Sequence, residues 1–413
     1  MNDDFFSQYL SYVSETEVPV FFHRWAAISG LGAYLGRDFH FSHGHFTVNT
    51  NVYCMLIGNP GTRKSTAIKM MKQLLIKAGY TTIAADKTTK EKFLLDLSGD
   101  DLKDSEDILT ANLFGDSVNG HPRECFIMAD EFNDFFGNGN IEFISLLGTL
   151  WDYSGTYSSR VKNSKSVSIY NPTISILGGN TPTGFSIAFP TDILGQGFFS
   201  RLLLIYGEPS GRKIPFPKAP SQELTDSLVK QLTAIKAIVH GEASLTSAAE
   251  KLLSHIYTSW KGLPDVRFES YSNRRFTHLL KLCLIHSAAT ASIKITHETV
   301  IYANTVLHYT EHFMSKALGE FGKAKHSDVS HKIMQLLESE VKVYSLKEIW
   351  KHVHNDLEKM NDLAELLRNL VAAEKIIGAT GGFLARRKLL EETDVSGTVD
   401  FSFLTQEEKE KLA

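Results

Sequence analysis

Apolar positions run in two distinct rhythms along the chain. Four short runs are apolar almost without a break: "VYCMLIG" from Val52, "ECFIMA" from Glu124, "PTISILGGN" from Pro172 and "RLLLIYG" from Arg201. Such runs predict strands buried on both faces, the signature of a parallel sheet with helices packed on each side. Between and after them the apolar positions recur at helical spacing. "PVFFHRWAAISGLGAYLG" (Pro19 to Gly36) predicts an apolar helix, followed by strand-like "DFHFSHGHFTVN". From Asn51 to about Gly207 strand, loop and helix alternate in a βαβ order.

"GEPSGRKIPFPKAPSQ" (Gly207 to Gln222) holds four prolines and two glycines and predicts an extended connector. Helices follow through Phe321, beginning with "SQELTDSLVKQLTAIKAIV" and including "RRFTHLLKLCLIHSAATAS". In His331 to Lys388, three short amphipathic helices precede "KIIGATGGFLARRK", two strands around a Gly-Gly turn. That order predicts a winged helix. The expected divisions are an N-terminal helical segment (1–50), an α/β core (51–210), a helical lid (211–325), the winged helix (326–392) and an acidic tail (393–413) read as a partly ordered extension.

The chemistry gathers where the strands end. In "LIGNPGTRKSTAIKMM" an apolar strand runs into Gly58, Pro60, Gly61, Thr62 and Arg63, then Lys64, Ser65 and Thr66 open a helix. A strand, a glycine-rich turn and a helix N-terminus form a cradle of backbone N–H groups for phosphates. Lys64 would reach the β and γ oxygens and the Ser65 hydroxyl would ligate Mg2+. Arg63 stands where such loops usually carry their last glycine. It would cost little if the backbone there keeps an ordinary φ/ψ and the side chain faces solvent.

The second run ends in Asp130-Glu131, two carboxylates that a metal and a lytic water would explain: Asp130 holding Mg2+, Glu131 acting as general base. The third run ends at Asn180, whose amide could bind the lytic water and a γ-phosphate oxygen, or simply form a turn before Thr-Pro. Arg201 begins the fourth run. Its guanidinium could stabilise transition-state charge on a neighbouring subunit's nucleotide, or serve a structural ion pair.

These motifs, with "MADE", "GGNTP" and "GFFSRLL" in this order, resemble those of the AAA+ ATPases, nearest the superfamily 3-like helicases. The chain is similar to the phage and mobile-element P-loop proteins described as primase-helicase or replicative helicase-like ATPases, a domain-of-unknown-function family. The likeness covers roughly Phe21 to Tyr309 and excludes the winged helix. It implies an AAA+ P-loop core that binds ATP and Mg2+, with Lys64, Ser65, Asp130 and Glu131 doing the nucleotide chemistry. It further implies Asn180 as sensor, Arg201 as a finger acting between subunits, and a tolerated Arg63. Arg274 and Arg275 lie near where AAA+ lids place a second sensor arginine, and which of the two, if either, points at nucleotide stays open.

Composition limits these expectations little. The 413 residues carry 43 Lys and Arg against 47 Asp and Glu, a formal charge of -4, so contact with DNA must be local. "LWDYSGTYSSRVKNSKSVSIYNP" predicts a hairpin whose Arg160, Lys162 and Lys165 could line the channel of a homo-hexamer and grip single-stranded DNA. A solvated hairpin edge is the alternative. Arg386, Arg387 and Lys388 could touch duplex, or the winged helix could dock replication proteins. His40, His43 and His45 alternate along a strand without a cysteine or acidic partner, which speaks against metal. Cys54, Cys125 and Cys283 are widely separated and suggest no disulfide framework. With no signal core or membrane-spanning run, a cytoplasmic protein is expected. The expectation is therefore an ATP-driven, ring-forming DNA helicase. Its rivals are a helicase loader or scaffold ATPase and a nucleotide-dependent regulator without unwinding activity.

Overall fold

The computed structural model describes residues 4–99, 123–137, 139–160, 166–189, 193–194, 197–319, 329, 332–334, 336–337, 342–354, 356–357, 359–372, 376–385 and 397–412. The chain is mixed α/β and divides into two compact units, one of residues 1–319 with 397–413 and one of residues 320–396.

The first unit opens with α1 (Phe5–Tyr12), whose N-terminus is capped by the Asp4 carboxylate accepting from Ser7 N–H at 2.7 Å. Helix α2 (Val20–Leu35) is buried on nearly every side. That all-round burial explains its lack of an amphipathic stripe, for it runs through the middle of the unit. Strands β1 (Phe39–His43) and β2 (Phe46–Asn49) form an antiparallel hairpin with Phe41 opposite Val48.

The core is a parallel sheet of β3 (Tyr53–Ile57), β4 (Glu124–Ala129), β7 (Thr173–Asn180) and β8 (Leu202–Tyr206), in the spatial order β4-β7-β3-β8. Every residue of β3 and β7 is buried, as their unbroken apolar runs predict. Register aligns Ile57 with Asn180 on one side and Tyr206 on the other, and Ala129 with Gly178. The four strands therefore end together, and β7 lies between β3 and β4. A short parallel bridge, Ile83 to Phe126, adds a fifth extended segment outside β4.

Around the sheet lie α3 (Lys64–Lys77), α4 (Lys90–Ser98), α5 (Phe132–Phe136), α6 (Ile141–Leu150) and α7 (Pro182–Ala188). Strands β5 (Thr156–Ser159) and β6 (Val167–Tyr170) form the expected hairpin, with Ser159 opposite Val167. After the connector come α8 (Gln222–Ile238), whose N-cap Ser221 accepts from Leu224 N–H, and the two-residue strands β9 (Gly241–Glu242) and β10 (Ser244–Leu245). Then follow α9 (Ser247–Ser259), α10 (Glu269–Ser272), α11 (Arg275–Ala289), β11 (Lys294–Ile295) and α12 (His297–Leu318).

The second unit contains α13 (Leu346–Val353), α14 (Met360–Ala372) and the antiparallel pair β12 (Ile376–Ala379) and β13 (Gly382–Ala385). Ser345 and Glu348 form a capping box at the start of α13, and Tyr344 bridges antiparallel to Phe383. Ile349, Leu363, Leu367 and Ile376 join one buried cluster. Arg386, Arg387 and Lys388 lie outside the described residues.

The acidic tail departs from its reading as an extension. Residues 397–412, ending in α15 (Gln406–Glu410), return to the first unit. Glu408 and Arg24 form an ion pair at 2.7 Å that is almost fully buried.

Candidate nucleotide-binding site

In an open parallel sheet, ligands collect beyond the carboxyl ends of the strands where neighbouring connections diverge. Here that edge carries the loop after β3, the Asp130-Glu131 pair after β4, Asn180 at the end of β7 and Gly207 after β8.

The loop after β3 is built by close backbone approach. Gly58 N–H donates to the Asn180 carbonyl at 3.2 Å, and a Cβ on Gly58 would lie only 2.6 Å from the Gly207 carbonyl oxygen. Thr62 closes the turn, both its N–H (3.2 Å) and its hydroxyl (2.9 Å) donating to the Asn59 carbonyl. Pro60 and Gly61 form its exposed tip. Lys64 opens α3, and Ser65 and Thr66 follow half-buried in the first turn, where Thr66 N–H donates to the Arg63 carbonyl at 3.1 Å.

Lys64 is folded back into this loop. Its Nζ donates to the Gly58 carbonyl (2.7 Å), the Asn59 carbonyl (3.3 Å) and the Thr62 hydroxyl (3.2 Å). Burial lowers its pKa, and the charge of Glu131 opposes that shift. Its three hydrogen-bond acceptors are neutral oxygens, and Glu131 is the acidic group that acts on its charge.

Arg63 does not meet the condition under which it would cost little. Its φ of 62° and ψ of 26° place it in the left-handed region, the conformation that favours glycine. Its guanidinium reaches Glu17, with Nη2 and Nε donating to one carboxylate oxygen at 2.7 and 3.2 Å. The other Glu17 oxygen accepts from Ile214 N–H at 2.8 Å, so Arg63 ties the loop to the connector after β8. The residue is thus strained in its backbone and anchored through its side chain.

At the end of β4, β7 comes so near that a Cβ on Gly179 would lie 2.4 Å from the Asp130 carbonyl oxygen. The Asp130 carboxylate pairs with Lys69 of α3 at 2.7 Å. Glu131 is exposed at the N-cap position of α5, and its side chain makes no capping bond. Ser65 and Asp130 would offer a metal ion two hard oxygens, Asp130 once released from Lys69. So small a set fits Mg2+, which keeps waters and takes its remaining ligands from substrate phosphates.

Asn180 is fully buried, with both ends of its amide occupied. Its Nδ2 donates to Asn133 Oδ1 at 2.7 Å, and its Oδ1 accepts from Thr181 N–H at 2.9 Å. Asn133 Nδ2 in turn donates to the Gly184 carbonyl at 3.0 Å. Through these bonds Asn180 joins the strand end to α5 and α7. Asn133 escaped the sequence reading, although it stands two positions after Glu131 in the same "MADEFN".

Arg201 lies at the opposite edge of the sheet. Register pairs Leu202 with Tyr53, so Arg201 is about 16 Å, the length of β3, from its own chain's loop. Its guanidinium lies 5.6 Å from the Trp151 ring centre, and Nη1 donates to the Gly197 carbonyl. Burial and the neighbouring Arg274 lower its pKa. Arg274 faces the same ring at 5.5 Å and donates through Nε to the Ser200 hydroxyl at 3.0 Å. Arg201 Nε and Trp151 Nε1 are buried here without an acceptor. Lys281, buried in the same cluster, takes the nearby Asp152 carboxylate at 2.8 Å.

Arg274 and Arg275 take different surroundings. Arg275 is buried against Glu311 (2.6 Å) and Asn304 (2.9 Å) in the helical framework, while Arg274 joins Arg201 away from the loop. Neither reaches residues 58–66 of its own chain. Arg160 is exposed at the end of β5, whereas Lys162 and Lys165 lie outside the described residues. Among the described residues no group of three or more His, Cys, Asp or Glu could hold a metal ion, and no helix is long and apolar enough to cross a membrane.

No family model matches this chain, and no curated protein matches it in sequence.

Proposed function

We propose that the protein is an ATP-hydrolysing, ring-forming DNA motor of the AAA+ type, a replicative helicase of a phage or mobile element. The observation that carries this reading is the polarity of the sheet. Lys64, Ser65, Asp130 and Glu131 gather at one edge, while Arg201 stands at the other with a buried donor that has no acceptor. A head-to-tail ring would bring the second edge of one copy against the first edge of the next and complete the site between them. ATP would then sit on the 58–66 loop with Mg2+ held by Ser65 and Asp130. Glu131 would polarise the attacking water, and Arg201 of the adjacent copy would stabilise charge on the transferring phosphoryl group. Arg160, with Lys162 and Lys165, would contact single-stranded DNA in the channel. The second unit, with its two helices, hairpin and bridging Tyr344, supports a winged helix that binds duplex or replication proteins.

The test is ATP hydrolysis with and without single-stranded DNA, for the wild type, Glu131→Gln, Arg201→Ala and a mixture of the two variants. Each variant alone should lose activity by a factor of about 10³ or more. Their mixture should recover up to about a quarter of the wild-type rate, because random assembly creates some intact interfaces. A mixture as inactive as its components refutes the shared site.

A second reading, a nucleotide-dependent regulator, draws on the occupied amide of Asn180 and the Asp130–Lys69 pair, which hold the site in a resting arrangement. It requires tight ATP binding with negligible turnover that DNA does not raise.

A further inference from the structure

Arg24, Arg267 and Arg275 are buried in the first unit, and each holds a carboxylate: Glu408 at 2.7 Å, Asp265 at 2.6 Å and Glu311 at 2.6 Å. Arg201 and Arg274 are half-buried beside Trp151, and among the described residues neither pairs with a carboxylate. Asp152, whose charge acts on both, is engaged by the Lys281 ammonium. Withdrawing a guanidinium from water without a counter-ion is costly, and an anion brought to the pair would offset that cost.

One short segment fixes both side chains. Arg201 Nη1 donates to the Gly197 carbonyl, so near that a Cβ on Gly197 would lie 2.5 Å from that nitrogen. The Ser200 hydroxyl donates to the same carbonyl at 2.8 Å and accepts from Arg274 Nε at 3.0 Å. His278 Nε2 lies 3.0 Å from the Ser200 carbonyl, which joins the segment to α11. The buried Trp151 ring backs both guanidiniums with its electron-rich face.

These contacts leave donors to spare. Among the described residues, Arg201 Nη2 and both terminal nitrogens of Arg274 make no hydrogen bond, and Arg201 Nε is buried without an acceptor. A phosphate spreads its charge over several oxygens and can take N–H donors from two guanidiniums at once. The phosphate loop of the same chain is out of reach. Arg274 is bonded to Ser200, just before β8, at the level of Tyr53 and so at the far end of β3 from residues 58–66.

We infer that Arg274 acts beside Arg201 on the nucleotide of the adjacent copy, as a second donor to the oxygens of its terminal phosphate, and has no part in binding the nucleotide on its own loop. The inference rests on the ring reading above and adds a residue to the donating half of the shared site. Arg275, one position further on, is engaged by Glu311 and Asn304 and belongs to the helical framework.

The experiment is ATP hydrolysis by full-chain Arg274→Gln and Arg274→Lys, each alone and in two equimolar mixtures, one with Glu131→Gln and one with Arg201→Ala. Loss of one donor to the transferring group should lower the rate of Arg274→Gln about 10²-fold. Mixed with Glu131→Gln it should recover up to about a quarter of the wild-type rate, since about half the copies keep Glu131 and about half their neighbours keep both arginines. Mixed with Arg201→Ala it should stay low, because every interface then lacks one of the two. Arg274→Lys keeps the charge but not the planar fork and should show the same pattern with a smaller loss. The mirror result, recovery with Arg201→Ala and none with Glu131→Gln, puts Arg274 on its own chain's nucleotide and overturns the inference. So does a wild-type rate for Arg274→Gln, or failure of both mixtures for both variants. If Glu131→Gln and Arg201→Ala do not complement each other, the shared-site reading itself fails, whatever Arg274 does.

Discussion

Substitution at Arg63 separates backbone strain from side-chain anchoring. An L-residue in the left-handed region costs about 1–2 kcal/mol, which Arg63 bears and glycine would not. Glycine returns about 0.5–1 kcal/mol of this through the greater freedom of its unfolded chain. Alanine keeps the strain and, like glycine, loses the pairing with Glu17, a half-exposed contact of small worth. Since both variants lose the same pair, their difference isolates the backbone. Arg63→Gly should be more stable than Arg63→Ala by about 0.7 kcal/mol, the midpoint of the difference between those two effects. Urea unfolding followed by circular dichroism and tryptophan fluorescence measures it as a displacement of the midpoint at constant slope. Arg63→Asn should fall between them, because asparagine tolerates this conformation better than most residues. If alanine equals or exceeds glycine, the loop does not hold residue 63 in a strained conformation, and the account of the arginine as a strained anchor is wrong.

Two further outcomes follow from buried charge. Glu408→Gln leaves Arg24 buried without its counter-ion and should destabilise the first unit by about 3–5 kcal/mol in denaturant unfolding; the paired replacement Arg24→Met with Glu408→Leu should cost far less. His23, His278 and His286 are buried, which lowers each pKa from 6.5 to about 3. The unfolded chain therefore takes up their protons first as pH falls. Their stabilisation is complete above pH 6.5 and is lost toward pH 3, at up to about 1.4 kcal/mol per pH unit for each histidine. Unfolding midpoints measured from pH 7.5 down to 5 should show this decline, and His278→Gln should reduce its slope.

Much of the sheet was legible because parallel strands buried on both faces leave unbroken apolar runs, and all four runs became its strands. The loop at 58–66 was legible for a similar reason: a turn between strand and helix is specified by adjacent residues. What escaped is non-local. Glu17 anchors Arg63 from 46 positions away, and Glu408 reaches Arg24 across 384. Asn180 could be placed at a strand end from its neighbours, but the direction of its amide depended on Asn133, a residue of a different element. Arg201 was identified as exceptional, whereas its bed on Trp151 and its company with Arg274 required the third dimension. The tail misled because one of its acidic residues, Glu408, has a buried partner in a distant helix.

The return of residues 397–412 also imposes an order of events during synthesis. The 58–66 loop and all four strands of the sheet have been made by Tyr206, and α12 by Leu318, yet Glu408 does not exist until the roughly 77 residues of the second unit have been translated. At 5–20 residues per second that interval lasts about 4–15 s. Throughout it the nascent first unit holds Arg24 without its carboxylate. The buried Arg24–Glu408 pair can close only once residue 408 has been made.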